Sequence, residues 1–196
     1  KSRVAGLEQA LQNVSDAKSV LDIAEGAYGS ILDNLIEMKS LATQAANGTI
    51  ATGSDEMKYI SAQLEALSVD ISDVAKSTTF NGITLTNSAT AGTSADLNSD
   101  SQTLTFQVGE GTSDTMTVTL NDVDTGKLFG TTHASGTSSS NPLADKAIST
   151  NILADVSQED HRGAIVITEG SVTGAEMRTF VTAIDTAINT MNSNMN

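Results

Sequence analysis

The sequence predicts an α+β fold, an elongated rod of long antiparallel coiled-coil-like helices with a β-hairpin and short strands alongside. Three observations lead to this prediction. Apolar residues recur at spacings of three and four near both ends of the 196-residue chain. Between those ends, two short segments alternate apolar with polar residues, as strands do. The first forty-odd positions contain no proline, so one long helix can run through them.

The first helix is predicted over residues 3–46 and ends at the turn-forming pair Asn47-Gly48. It carries two apolar stripes, which implies burial against more than one neighbour. The first stripe comprises Val4, Leu7, Leu11, Val14, Leu21, Tyr28, Leu32 and Leu35, and the second comprises Val20, Ile23, Ala27, Ile31, Leu35, Met38, Ala42 and Ala45. Lys18 and Glu25 occupy positions of the first stripe. They either set the register of a partner helix or lie at the edge of a wide apolar face.

Two further helices are predicted at residues 54–78 and 174–196. Ser54 is placed to cap the first of them, and Thr173 with Glu176 has capping-box spacing at the start of the second. Both carry heptad-like repeats that predict inter-helix seams. The seam residues are Met57, Ile60, Leu64, Leu67, Ile71, Val74, Met177, Val181, Ile184, Ile188 and Met191.

The strand predictions fall in the middle of the chain. Alternation over residues 102–121 predicts a hairpin, and 164–169 predicts a further strand, with a short strand at 84–86. A loosely structured stretch is expected at 131–162, with a short helix near 143–148.

The chain therefore divides into three regions. Residues 1–130 would form one part of the rod, 131–162 a short variable insertion, and 163–196 the returning part of the rod. The last seam still repeats at the final residue, which leads us to expect that the native protein continues.

Composition and charge exclude several function classes. With 24 acidic and 10 basic residues, the net charge is −14, which would repel the phosphates of nucleic acid. No apolar run approaches the length needed to span a membrane. The chain has no cysteine, so disulfides, thiol catalysis and cysteine-based zinc sites are excluded.

No catalytic constellation can be assembled from the motifs, so we expect neither an enzyme nor a cofactor. One cluster, formed by Asp155, Glu159, Asp160 and His161, could be read as metal ligands. A solvated acidic loop is the better interpretation because the ligand spacing is not diagnostic. The long apolar stripes instead favour assembly.

Three sequence blocks resemble the N-terminal rod region of bacterial flagellin in order and spacing. They are AEGA at 24–27, LATQAANGT at 41–49 and FNGITL at 80–85. In addition, LTFQVG at 104–109 followed by 116–120 resembles the hairpin that closes that region, and AIDTAI at 183–188 resembles the start of its returning helix. The resemblance covers most of residues 1–130 and about 173–196. A hook–filament junction protein of the same family, or a surface adhesion module, remains an alternative.

The resemblance implies a structural subunit of the extracellular flagellar filament, which assembles with other flagellin subunits for motility. It also implies an export chaperone and a filament cap as partners. The terminal helices that form the inner tube of a flagellar filament have no counterpart in this sequence, so a rod-domain fragment is expected. The Ser/Thr-rich stretch 131–140 would be either a glycan attachment region or a plain solvated loop.

The resemblance further implies a surface that faces an innate immune receptor, formed by Glu37, Lys39, Leu41 and Gln44. Leu41 matches a leucine that fills a receptor pocket in many flagellins. The family's arginine four residues earlier is Glu37 in this chain, although Lys39 keeps a positive charge nearby. Because reversing a charge in an interface is costly, we expect weakened or absent recognition.

Overall fold

The structure is a computed structural model that describes residues 2–86, 101–123, 125–129, 146–155 and 164–195. Four helices occur in these ranges: α1 (Ser2–Ala45), α2 (Asp55–Ser77), α3 (Thr125–Phe129) and α4 (Gly174–Asn194). The three long helices lie within two residues of their predicted ends. The α+β fold class is confirmed.

Local chemistry fixes where α2 and α4 begin. The Ser54 hydroxyl accepts a hydrogen bond from the Met57 amide, and Asp55 and Glu56 lie in the first turn of α2, where the helix dipole favours acidic groups. At α4, the Thr173 hydroxyl accepts from the Glu176 amide while the Glu176 carboxylate accepts from the Thr173 amide, which completes the predicted capping box.

Seven strands form three small antiparallel sheets in the described ranges. Their bounds are β1 (Thr79–Phe80), β2 (Ile83–Thr84), β3 (Ser101–Gln107), β4 (Thr115–Asn121), β5 (Lys146–Ser149), β6 (Ile152–Asp155) and β7 (Ala164–Ile167). Strands β3 and β4 form the predicted hairpin, whose partners run from Ser101 with Asn121 to Gln107 with Thr115. Strands β5, β6 and β7 form a three-stranded sheet.

The prediction of a helix at 143–148 is wrong for the part of this segment that the structure describes, because Lys146–Ser149 forms strand β5. Strand β5 pairs with β6, and Ile152 of β6 is buried in the hydrophobic core. Tertiary packing therefore decides the local structure here. The short strand expected at 84–86 lies slightly earlier, as β2, which pairs with β1 around Asn81-Gly82. The Ser/Thr-rich stretch 131–140 lies outside the described residues.

The core divides into two clusters along the length of α1. The larger joins the C-terminal half of α1 to α2, α3, α4 and the three-stranded sheet. The smaller joins Val20 and Ala24 of α1 to Leu85 and to Val118 and Leu120 of the β3–β4 hairpin. The two halves of α1 therefore have different neighbours.

Candidate assembly surface

The C-terminal half of α1 is buried between α2 and α4. The second predicted stripe forms this contact, and its residues Ile31, Leu35, Met38, Ala42 and Ala45 are fully buried. Helix α4 runs antiparallel to α1, since Arg178 near its start donates to the carbonyl of Ala46 at 3.0 Å. Farther along, Asp185 pairs with Lys39 at 2.6 Å.

The predicted seams of α2 and α4 are partly in the core. Seven of their residues are buried: Met57, Ile60, Leu64, Ile71, Met177, Ile184 and Met191. Four are only half-buried at the edge of the core: Leu67, Val74, Val181 and Ile188. Phe180 and Ala187 complete the buried face of α4 and were missed, although their spacing from Met177, Ile184 and Met191 fits the same helical period. Phe180 packs against Phe129 of α3, with ring centroids 5.8 Å apart.

Polar side chains of α2 hold the three-stranded sheet in place. The amide of Ile165 donates to the Ser68 hydroxyl at 2.8 Å, and the amide of Ile167 donates to the Glu65 carboxylate at 2.7 Å. Both amides belong to β7, which is an edge strand, so these acceptors take the place of a neighbouring strand. The Thr125 hydroxyl donates to the backbone carbonyl of Ser68 at 2.9 Å, which ties α3 to the same position.

A second polar cluster joins the turn between β5 and β6 to the start of α4. The Glu176 carboxylate accepts hydrogen bonds from the backbone and side chain of Asn151 and from the backbone and hydroxyl of Thr173, at 2.9–3.1 Å. Burial disfavours the ionised form, but these bonds outweigh it and hold the pKa of Glu176 below its ordinary value of 4.5.

The N-terminal half of α1 contacts the β3–β4 hairpin. Asn13 donates its side-chain amide to the carbonyl of Gln107 at 2.7 Å, and Gly6 lies beside Glu110 at the hairpin tip. The small residues Ala10 and Ala17 are buried on this side of the helix, which allows close approach of the strands. The hairpin therefore covers one side of this half.

Helix α4 ends beside the middle of α1. Asn194, its last residue, accepts a hydrogen bond from the side chain of Asn121 at 3.0 Å, and the Asn121 carbonyl accepts one from the Tyr28 hydroxyl at 2.9 Å. Burial raises the pKa of Tyr28 to about 12, and the hydrogen bond to Asn121 opposes this only in part. Among the described residues, α4 therefore covers α1 only from about Tyr28 onward.

The uncovered part of the first predicted stripe is exposed. We call the residues Val4, Leu7, Leu11, Val14 and Leu21 the N-terminal stripe; their side chains are 42–72% exposed. Lys18 and Glu25, also exposed, continue the same heptad positions. Farther along, Tyr28 and Leu35 of that stripe are buried and Leu32 is half-buried. The stripe is therefore exposed in the N-terminal half of α1 and covered in the C-terminal half. Contiguous exposed apolar side chains are typical of interaction surfaces.

The proposed receptor-facing residues do not all lie together. Glu37, Leu41 and Gln44 share one face of α1, as their spacing of four and three requires, and Glu37 and Gln44 are exposed while Leu41 is half-buried. Lys39 lies about 200° around the helix from Glu37, given 3.6 residues per turn. It faces α4, where Asp185 pairs with it. The expectation that Lys39 keeps a positive charge beside Glu37 is therefore corrected.

No group of three or more His, Asp or Glu side chains within the described ranges could hold a metal ion. The acidic cluster of Asp155, Glu159, Asp160 and His161 lies almost wholly outside the described residues. Among the helices of the described part, none is both long and apolar enough to cross a membrane.

The geometry defines a class of protein, a helix-rich α+β protein whose long helix exposes an apolar stripe. Residues 1–91 match the family model of the bacterial flagellin N-terminal helical region. The chain is 30% identical over 154 residues to a flagellin of Serratia marcescens and 31% identical over 127 residues to the phase 1 flagellin of Salmonella naestved. Its fold is similar to the crystal structure of Bacillus cereus flagellin, with a TM-score of 0.59 and 26% identity, over 94% of this chain and 78% of that one.

The family model, the two relatives and the solved structure together support a bacterial flagellin. Flagellins are structural proteins. The matched regions cover 79% and 65% of this chain, and they span 40% of the length of the Serratia relative and 22% of the Salmonella relative.

Proposed function

We propose that this protein is a structural subunit of the bacterial flagellar filament, acting by assembly with other flagellin subunits rather than by catalysis. The observation that carries the proposal is the N-terminal stripe, exposed on a helix whose other half is packed on two sides. Helices of neighbouring subunits would close over this stripe when the filament forms. Fully burying one large aliphatic side chain contributes about 1.5–3 kcal/mol. Because these five are 42–72% exposed, covering each of them supplies only part of that energy, repeated at five positions.

Charge sets the conditions for assembly. Each chain carries −14, so neighbouring subunits repel one another at long range. Salt at about 0.1 M reduces the screening length to roughly 10 Å, which leaves the short-range apolar contact in place and weakens the repulsion. Filament formation should therefore rise with ionic strength.

Sedimentation of the complete gene product tests the proposal. With filament seeds present, we expect pelleted filaments whose amount increases with salt. A complete gene product that remains in the supernatant at every salt concentration would contradict the proposal.

The family assignment carries further expectations. The subunit works outside the cell, in the flagellum, and reaches it with the help of an export chaperone and a filament cap. Residues 1–130 and 163–196 form its rod, and 131–162 is the variable insertion. The half-buried positions Leu67, Val74, Val181 and Ile188 lie at the edge of the helix bundle, where a neighbouring subunit would contact them.

Recognition by the innate immune receptor is proposed to be weak. Glu37 places a negative charge one helical turn from Leu41, and the paired Lys39 is too far around α1 to offset it. In a receptor reporter assay, Glu37→Arg should raise the response well above that of the unaltered protein. Asp22→Arg, which reverses an exposed charge elsewhere on α1, serves as the control and should not. Equal responses from all three proteins would contradict the proposal.

A further inference from the structure

The chain contains two Asn-Gly pairs, Asn47-Gly48 and Asn81-Gly82, and both are exposed. In such a pair, the glycine amide nitrogen can attack the asparagine side-chain carbonyl, because glycine lacks the Cβ that would hinder approach. The two pairs lie in different backbone settings. The two asparagines should therefore react at different rates in the folded protein, although they are chemically equivalent in the unfolded chain.

Asn47 lies in the connection between α1 and α2. Its side-chain oxygen accepts a long hydrogen bond of 3.4 Å from the amide of Thr49, so the side-chain carbonyl is turned forward along the chain, toward the residues that follow Asn47. Among the described residues, the Gly48 amide donates no hydrogen bond and is free to react. The Thr49 amide also faces the oxygen on which negative charge develops during attack.

The backbone around Asn47 can turn at low cost. Moving the Asn47–Gly48 peptide toward the side chain displaces the Asn47 carbonyl, which accepts one bond from the Ile50 amide at 3.1 Å. Gly48 has open space around it, since a Cβ added there would meet nothing within 4 Å. One hydrogen bond in an exposed connection opens readily.

Asn81 is held differently. It has a φ of 50° and Gly82 a φ of 81°, as in the two-residue turns that close hairpins. The turn joins β1 to β2, and the ladder continues with the Leu85 amide bonded to the Thr78 carbonyl at 2.9 Å. Leu85 is fully buried, which anchors the end of the hairpin. Turning the Asn81–Gly82 peptide toward the side chain would break this closed turn.

We propose that Asn47 is a site of spontaneous deamidation in the folded protein and that Asn81 is protected. The Gly48 nitrogen loses its proton to solvent base and forms a bond to Asn47 Cγ, and the bond from Cγ to Nδ2 breaks as ammonia leaves with a proton from water. Water then opens the cyclic imide at either carbonyl, which gives aspartate or isoaspartate. No oxidant, reductant or enzyme is needed.

The product changes the charge of one end of the helix bundle. It places a carboxylate just past the end of α1, where the carbonyl ends of the helix already carry partial negative charge. The isoaspartate form also inserts a methylene into the main chain between α1 and α2.

Peptide mass spectrometry on the 196-residue chain tests the proposal. The folded protein and the same protein unfolded in urea are incubated at mildly alkaline pH in heavy-oxygen water, and conversion at each asparagine is followed with time. In the unfolded protein, Asn47 and Asn81 should convert at similar rates. In the folded protein, Asn47 should convert at least about tenfold faster than Asn81.

Gly48→Ala provides the matched variant. The site is open and its φ is not positive, so alanine fits and the fold is retained, which circular dichroism verifies. Conversion of Asn47 in this variant should fall several-fold while Asn81 is unchanged. Equal conversion of the two asparagines in the folded protein, faster conversion of Asn81, or no conversion of Asn47 would overturn the proposal.

Discussion

The two halves of α1 show how one apolar pattern can serve two purposes. In the C-terminal half, Leu35 is fully buried against α2 and α4. In the N-terminal half, Leu11 belongs to the same heptad stripe and is 72% exposed. Both halves have apolar residues at the same heptad spacing, but only the C-terminal half has helical partners in the described chain. The stripe therefore stabilises the fold at one end and offers a contact surface at the other.

The largest expected effect tests this comparison directly. Leu35→Ala should lower the free energy of unfolding by about 2–5 kcal/mol, because it leaves a cavity between three helices. Leu11→Ala removes an exposed side chain and should change it by no more than about 0.5 kcal/mol. Urea unfolding followed by circular dichroism measures both. Similar losses for the two variants would mean that the N-terminal stripe is already packed within this chain.

A smaller effect is expected where α2 holds the sheet. Ser68→Ala leaves the buried amide of Ile165 without its acceptor, which should cost about 1–3 kcal/mol. Ser61→Ala is the control, because the Ser61 hydroxyl is buried without a hydrogen-bond partner in the described part of the chain. That variant should be neutral or slightly stabilising. The comparison fails if both serines give the same change in the urea midpoint.

The pH dependence of stability should reveal the cluster around Glu176. Its folded-state pKa is lowered, so its contribution is complete above the ordinary value of 4.5 and is lost as the pH falls through the folded value. At neutral pH, Glu176→Gln should be less stable by about 1 kcal/mol through lost acceptors. This difference in stability between the variant and the unaltered protein should disappear in acid. The prediction is contradicted if the difference in the free energy of unfolding between the two proteins stays constant from about pH 7 to about pH 3.

The smallest effect is expected at the ion pair between α1 and α4. Lys39 and Asp185 are both about half exposed, so Lys39→Ala should cost no more than about 1 kcal/mol. The loss should shrink with added salt, because exposed charges are screened. A double-mutant cycle with Asp185→Ala measures the pair alone. A coupling of several kcal/mol would show that α4 depends on this contact far more than its exposure suggests.

Much of the fold could be predicted from the sequence because its signals are local. The Ser54 cap and the capping box of Thr173 and Glu176 mark helix starts through side chains that satisfy nearby amides. The hairpin of β3 and β4 follows from strict alternation over two adjacent segments.

Other features depend on distant residues and could not be predicted. Strand β5 is held by its pairing with β6, which in turn pairs with β7. Ser68 is buried where its hydroxyl accepts a hydrogen bond from the Ile165 amide of β7. Within the candidate site, the apolar stripe is visible in the sequence, but which part of it is covered depends on where α4 ends beside Tyr28.

Filament incorporation tests the central claim most directly. Complete gene products carrying Leu11→Glu or Gln12→Glu are mixed with seeds, and the pelleted fraction is measured. Each variant adds the same exposed charge, but position 12 lies about 100° around the helix from Leu11. We predict that Leu11→Glu abolishes incorporation and that Gln12→Glu leaves it nearly unchanged. Normal incorporation of Leu11→Glu would contradict the assignment of the stripe as an assembly surface.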